Sequence, residues 1–179
     1  MPWARRTLFL SMGCLAAFAC SGVAAATPPR PHIIFILADD LGYGDLSSFG
    51  ATDIRTTNID RLAQEGIRFT AHYAAANTCS PSRASLMTGR YPPRTRVNAV
   101  LAYDTVEGLP REEITIAELL RDAGYRTAMV GKWHLGVWSN DPAGHPRRHG
   151  FQSYFGLPHS NDMDPRPRLP PRSHAVGGQ

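Results

Sequence analysis

Three groups of side chains in this sequence have the types and spacing for chemistry. They are the thiol of Cys79 within Cys79-Ser80-Pro81-Ser82-Arg83, the adjacent carboxylates Asp39 and Asp40, and Lys132 with His134 in Gly131-Lys132-Trp133-His134-Leu135-Gly136. A thiol is a nucleophile or an inert packing group according to its surroundings. Neighbouring carboxylates offer hard oxygens to a divalent cation, and they serve equally well as a turn or helix cap. A lysine and a histidine two residues apart can hold an anion and move a proton, or simply decorate a solvated turn. Residue type alone leaves each pair of readings open, and the elements that carry these groups must narrow them.

The order of residues at the start bears on the thiol. Arg5 and Arg6 precede an apolar run from Leu8 to Cys20 and a small-residue end at Val23-Ala24-Ala25-Ala26. This is the order of a cleavable secretory signal over residues 1–26, and the expected location is periplasmic or secreted. The apolar run is too short to span a bilayer, so no stable membrane span is expected. Cys14 and Cys20 would leave with that segment, and Cys79 would remain as an unpaired thiol in an oxidising compartment. An odd thiol there is intermolecular, reactive or incidental, and the residues around Cys79 favour reactive.

The elements follow from pattern. After the proline-rich joint at 27–31, His32 to Ala38 is apolar without polar alternation, which predicts a strand buried on both faces of a parallel sheet, with Asp39 and Asp40 at its carboxyl end. A Gly/Ser-rich loop follows, and Asp45 reads as a loop residue. Residues 58–65 place Ile59, Leu62 and Ala63 on one helical face ahead of Gly66. Residues 67–75 predict a second strand leading to Cys79, and a helix from Pro81 to Thr88, stopped by Gly89, sets the thiol just ahead of a helix N-terminus, where an anion is favoured. Thr115 and Glu118 form a capping box for a helix carrying Ile116, Leu119 and Leu120. Residues 125–136 predict a third strand running into a Gly-bounded turn. Strands alternating with helices predict an α/β fold. His72, His145, His149 and His159 show no ligand spacing.

Charge excludes one class of partner. The formal net charge is +4, and without residues 1–26 the count is 17 basic to 15 acidic side chains, with no basic stripe interleaved with aromatics. Nucleic acid is not an expected ligand.

The CSPSR segment followed by Leu86-Met87-Thr88-Gly89-Arg90 resembles the signature of the sulfatases. The Asp-Asp strand end upstream, GKWHLG downstream, Gly150 to Pro158, and Ser160-Asn161-Asp162 stand in the order that family shows, so the resemblance covers roughly Pro31 to Asp164. It is to formylglycine-dependent arylsulfatases of the arylsulfatase A and N-acetylgalactosamine-6-sulfatase kind. The resemblance implies an alkaline-phosphatase-like α/β domain, a largely parallel or mixed sheet flanked by helices, here over residues 31–163 as its N-terminal part. It implies that a formylglycine-generating maturation enzyme converts Cys79 to Cα-formylglycine, whose hydrate attacks the sulfur of an aryl or carbohydrate sulfate ester. It further implies one calcium ion ligated by Asp39, Asp40 and residue 79, with Arg83, Lys132 and His134 completing the catalytic set. Phosphate or phosphonate monoesters are the alternative substrates within the superfamily, and an inactive remnant is the alternative outside it. Family members take a second Asp-Asn metal pair, a further His and a further Lys from beyond the length represented here. Residues 164–179 turn abruptly to Arg, Pro and Gly, which predicts a disordered or frame-shifted tail on a truncated chain, prone to aggregate through an exposed sheet edge.

Overall fold

The structure, a computed structural model, describes residues 30–163. The predicted signal over 1–26 and the tail over 164–179 lie outside the described residues. The chain divides into two units after Ala38. In the first, residues 30–38 have no regular secondary structure, and Ile34 is 84% exposed. The strand predicted there is therefore not observed. A strand's hydrogen bonds all go to another segment, and an apolar run does not by itself provide one.

The second unit, from Asp39, holds the regular elements. Its sheet forms because two distant segments satisfy each other's backbone groups. β1 (Ala128–Val130) pairs in parallel with β2 (Ser153–Phe155), Met129 standing opposite Tyr154. The pairing continues past both strands: the Gly131 N–H donates to the Phe155 carbonyl at 2.9 Å, Trp133 to Leu157 at 3.0 Å, and His134 to Pro158 at 2.9 Å. Residues 131–134 are thereby clamped along 155–158. Gly156 makes the approach possible, since a Cβ at that position would overlap the Gly131 carbonyl.

Around this ladder lie α1 (Thr57–Glu65), α2 (Cys79–Thr88), the single turn α3 (Pro92–Thr95) and α4 (Ile116–Asp122). The start of α4 is fixed as its sequence predicts. Thr115 Oγ1 accepts from the Glu118 N–H at 3.2 Å, and Glu118 Oε2 accepts from the Thr115 N–H at 2.9 Å. The Thr115 hydroxyl also donates to the His149 carbonyl at 2.8 Å, which ties the cap to the segment before β2. α2 ends at Gly89, whose φ of 67° suits glycine and whose N–H reaches the Ser85 carbonyl. Residues 67–75 carry no strand, and Ile67, Phe69 and Tyr73 are exposed. That prediction fails for the same reason as the one at 32–38.

The core is small and sits where the ladder meets α2. Ala84, Val97, Leu109, Trp133 and Leu135 are buried together, with Met129, Phe151 and Tyr154 packed against them. Trp133 is held in orientation by an Nε1–H bond to the Gly144 carbonyl at 2.9 Å and an edge contact with Phe151. Trp133 through Val137 are all buried, so the segment that follows Lys132 is anchored in the core.

Candidate active site

Cys79 is the first residue of α2, with the extended Thr78 as its N-cap. The thiol thus lies within the first helical turn rather than ahead of it, the helix starting two residues before the Pro81 of the sequence reading. Pro81 fits in that turn because the N–H it lacks has no intrahelical partner there. Ser80, Pro81, Arg83, Ala84 and Ser85 bury one face of the helix, and Ser80 Oγ accepts from the Leu101 N–H at 3.0 Å. Anchored in this way, Cys79 remains a free, half-buried thiol.

Lys132 Nζ reaches three groups from separate parts of the chain: Asp39 Oδ2 at 2.8 Å, Cys79 Sγ at 3.3 Å and Ser160 Oγ at 3.1 Å. Arg83, one turn beyond the thiol, donates from Nη2 to Asp39 Oδ1 at 3.0 Å and from Nη1 to the Lys132 carbonyl at 2.6 Å. Each oxygen of Asp39 therefore faces a different cation. The carboxyl is held below its usual range, first by the Lys132 hydrogen bond against the cost of partial burial, then by Arg83. Burial pulls the Lys132 ammonium down, but its bonds to Asp39 and Cys79 outweigh that and hold it above its ordinary value. Both charged forms persist at neutral pH.

His134 is placed differently. The ring is 1% exposed, and Nε2 lies 2.9 Å from the Leu101 carbonyl. A carbonyl accepts only, so the proton is on Nε2, and Nδ1 is the bare nitrogen, buried without a partner. Burial, assisted by the charges of Lys132 and Arg83, lowers the ring's pKa despite the Leu101 bond and keeps it neutral. Its backbone has a φ of 58°, uncommon outside glycine and held here by the ladder bond to Pro158. Asp40, also at positive φ, is exposed beside Asp39.

A sulfatase family model matches residues 31–176. The chain belongs to the sulfatase family. It is 53% identical over 146 residues to arylsulfatase G of Rattus norvegicus, covering 82% of this chain and 27% of that protein. It is 47% identical over 153 residues to steryl-sulfatase of Mus musculus, covering 80% of this chain and 24% of that protein. A solved structure from Bacteroides thetaiotaomicron, described with a locus for the metabolism of multiple glycosaminoglycans, superposes with a TM-score of 0.69 at 40% identity, covering 76% of this chain and 30% of that one. The chain thus spans about a quarter of the length of these curated relatives. Its fold is the α/β, alkaline-phosphatase-like fold of the sulfatases, with helices about a parallel sheet.

The structure brings Cys79, Arg83, Lys132 and Asp39 of this sulfatase chain together, while His134 turns one nitrogen to Leu101. Sequence reasoning assigned no role to Ser160, and the only signal for it was the family stretch Ser160-Asn161-Asp162. It also gave no hint of the two carbonyls, of Leu101 and Lys132, that orient His134 and Arg83, because backbone acceptors leave no residue-type signature. As for a metal, Asp39 and Asp40 have the hard oxygens that a divalent cation prefers, as two members of a shell of roughly six to eight oxygens. Among the described residues no group of three or more His, Cys, Asp or Glu is clustered for a metal. The two aspartates fit such an ion in kind and would supply part of its shell.

Proposed function

We propose that this chain carries the nucleophile-bearing part of a sulfuric ester hydrolase acting on an aryl or carbohydrate sulfate, with Cys79 converted to Cα-formylglycine by a maturation enzyme after export through residues 1–26. The observation that carries the reading is the position of Lys132 Nζ, within hydrogen-bond reach of both Asp39 and Cys79. A persistent ammonium beside the nucleophile position is what an anionic ester needs in order to approach a carboxylate-bearing site. The similarity to a protein described with glycosaminoglycan metabolism supports the carbohydrate half of the substrate class.

In its hydrated form, formylglycine would supply one oxygen to displace the alcohol from sulfur and a second whose deprotonation releases sulfate. A divalent cation, calcium in the family reading, would be held in part by Asp39 and Asp40 and would offset the charge of the ester. The remaining work would fall to this chain's own side chains. Lys132 holds the nucleophile position and faces the anion. Arg83 positions Lys132 through its carbonyl and Asp39 through its carboxylate. His134, neutral with a bare Nδ1, is the proton acceptor of the set, its other nitrogen fixed on Leu101. α2 begins at residue 79, so its N-terminal dipole adds to the attraction for negative charge.

The test is co-expression with a formylglycine-generating enzyme. Mass spectrometry of the peptide containing residue 79 should show aldehyde in place of thiol, and 4-nitrophenyl sulfate should be hydrolysed in the presence of calcium and not after Cys79→Ala. Hydrolysis of 4-nitrophenyl phosphate faster than of the sulfate would transfer the reading to phosphomonoesters. A retained thiol, or a Cys79→Ala protein as active as its parent, would refute it.

A further inference from the structure

A cavity of about 480 Å³ opens beside the loop that follows Gly136 and is lined by Trp138, Pro142, His145, Arg147 and Arg148. Its size is within the range of small-molecule sites, roughly 300–1,000 Å³. The sequence pattern gave none of these residues a role, and the reaction above uses none of them.

The walls are of two kinds. On one side is a fixed aromatic cluster: Trp138 lies 4.8 Å from the His145 ring and meets Tyr154 edge-on at 5.4 Å, while Tyr154 meets His145 edge-on at 5.7 Å. The Tyr154 hydroxyl is shared between the carbonyls of Gly131 and Leu157, which ties this cluster to the clamped segment that bears Lys132. On the other side are two exposed guanidinium groups. Among the described residues neither Arg147 nor Arg148 forms an ion pair, a state shared with Arg55, Arg68, Arg94, Arg111 and Arg126. His145 Nδ1 accepts from the Arg147 N–H at 3.1 Å, so the neutral ring carries its proton on Nε2 as a further donor. The cavity thus combines an aromatic face with side-chain donors and positive charge. An aromatic face suits the C–H face of a sugar ring, and uncompensated guanidiniums suit a sulfate or carboxylate.

We propose that this cavity binds an anionic sugar unit of an oligosaccharide, and that it holds a flanking unit of a polyanionic chain rather than the unit being hydrolysed. The proposal rests on the carbohydrate half of the function proposed above and specifies the substrate as a charged polysaccharide. Trp138 stacks on the ring, Arg147 and Arg148 take its anionic group, and His145 donates to a ring oxygen or hydroxyl.

The test uses the full chain as Cys79→Ala, in which hydrolysis is blocked, titrated calorimetrically with a heparin-derived hexasaccharide, its fully desulfated form and inorganic sulfate. The hexasaccharide should bind more tightly than inorganic sulfate. The double substitution R147Q/R148Q should weaken it roughly tenfold, as expected for two exposed charge contacts. Trp138→Ala should weaken it as well; because that ring is half-buried, its urea midpoint must match the parent for the result to count, and the exposed arginines provide the independent arm. Desulfation that abolishes binding identifies sulfate as the anion read, and desulfation without effect identifies the uronate carboxylate. Absence of binding by the parent, R147Q/R148Q binding at parental affinity, or inorganic sulfate binding as tightly as the hexasaccharide would each overturn the proposal. Binding of this pattern in a matured protein that hydrolyses no sulfate ester would leave the cavity assignment standing and remove the catalytic one.

Discussion

Residues 67–75 and residues 125–136 are each predicted from the sequence as a strand, and they are built differently. The first has no ladder and leaves Tyr73 84% exposed. The second pairs β1 with β2, buries Trp133 and Leu135, and delivers Lys132 to the thiol. The difference lies outside either segment's composition. Residues 127–134 have a partner in 152–158 that offers carbonyls in register and a glycine where the backbones must touch. Residues 67–75 have no such partner among the described residues. β propensity describes fitness for a pleated surface, and the surface must come from elsewhere.

This contrast can be broken by experiment, beginning with the largest effect. Lys132→Ala should lower kcat/KM of the matured protein on an aryl sulfate by roughly a hundredfold or more, as removal of a single charge-stabilising donor does; a change of less than a few-fold would mean that the packed block is scaffold and not site. Gly156→Ala should cost about 2–3 kcal/mol of stability in urea unfolding, since the new methyl group meets backbone rather than a side chain that can move aside. Thr115→Ala removes both a helix cap and the bond to the His149 carbonyl, and about 1–2 kcal/mol should be lost.

A pH series asks the same question without mutation. His134 and His149 are buried, and burial lowers the pKa of each from 6.5. The unfolded chain takes up protons near the ordinary value while the folded chain does not. Stability is therefore complete above that value and declines as pH falls below it toward the depressed folded values. Urea midpoints that stay level from pH 7.5 to pH 5 would show that neither ring is as enclosed as described. At the small end, Tyr73→Ser should change stability by less than about 0.5 kcal/mol. A larger loss would mean that residues 67–75 are covered in solution.

What the sequence disclosed follows the same division between local and distant. α1 and α4 lie within a residue of their predicted starts, because caps and helical spacing are encoded within a single turn: Thr115 and Glu118 needed only each other. α2 was legible in its C-terminal end, with its start two residues earlier than read. Strands were the weak point, with β2 absent from the reading and the segments 32–38 and 67–75 assigned strands that do not form. At the site, Cys79, Arg83, Lys132 and Asp39 were identified through motif blocks, and the structure brings them within bonding distance. Ser160 and the Leu101 carbonyl were not, since neither residue type has distinctive chemistry until the fold brings it beside a charge.

The Lys132 ammonium has a consequence beyond attracting an anion. Its acceptors are 93, 53 and 28 residues away along the chain, so one side chain closes three loops of unequal length. The entropy of closing each loop is met once, by a single ordered group, and the three ends are released together if that group is lost. Lys132 is in that sense a non-covalent staple. Concentrated salt, which weakens its contacts at one point, should loosen the segments bearing Asp39, Cys79 and Ser160 as a unit, and hydrogen exchange would record them opening in step.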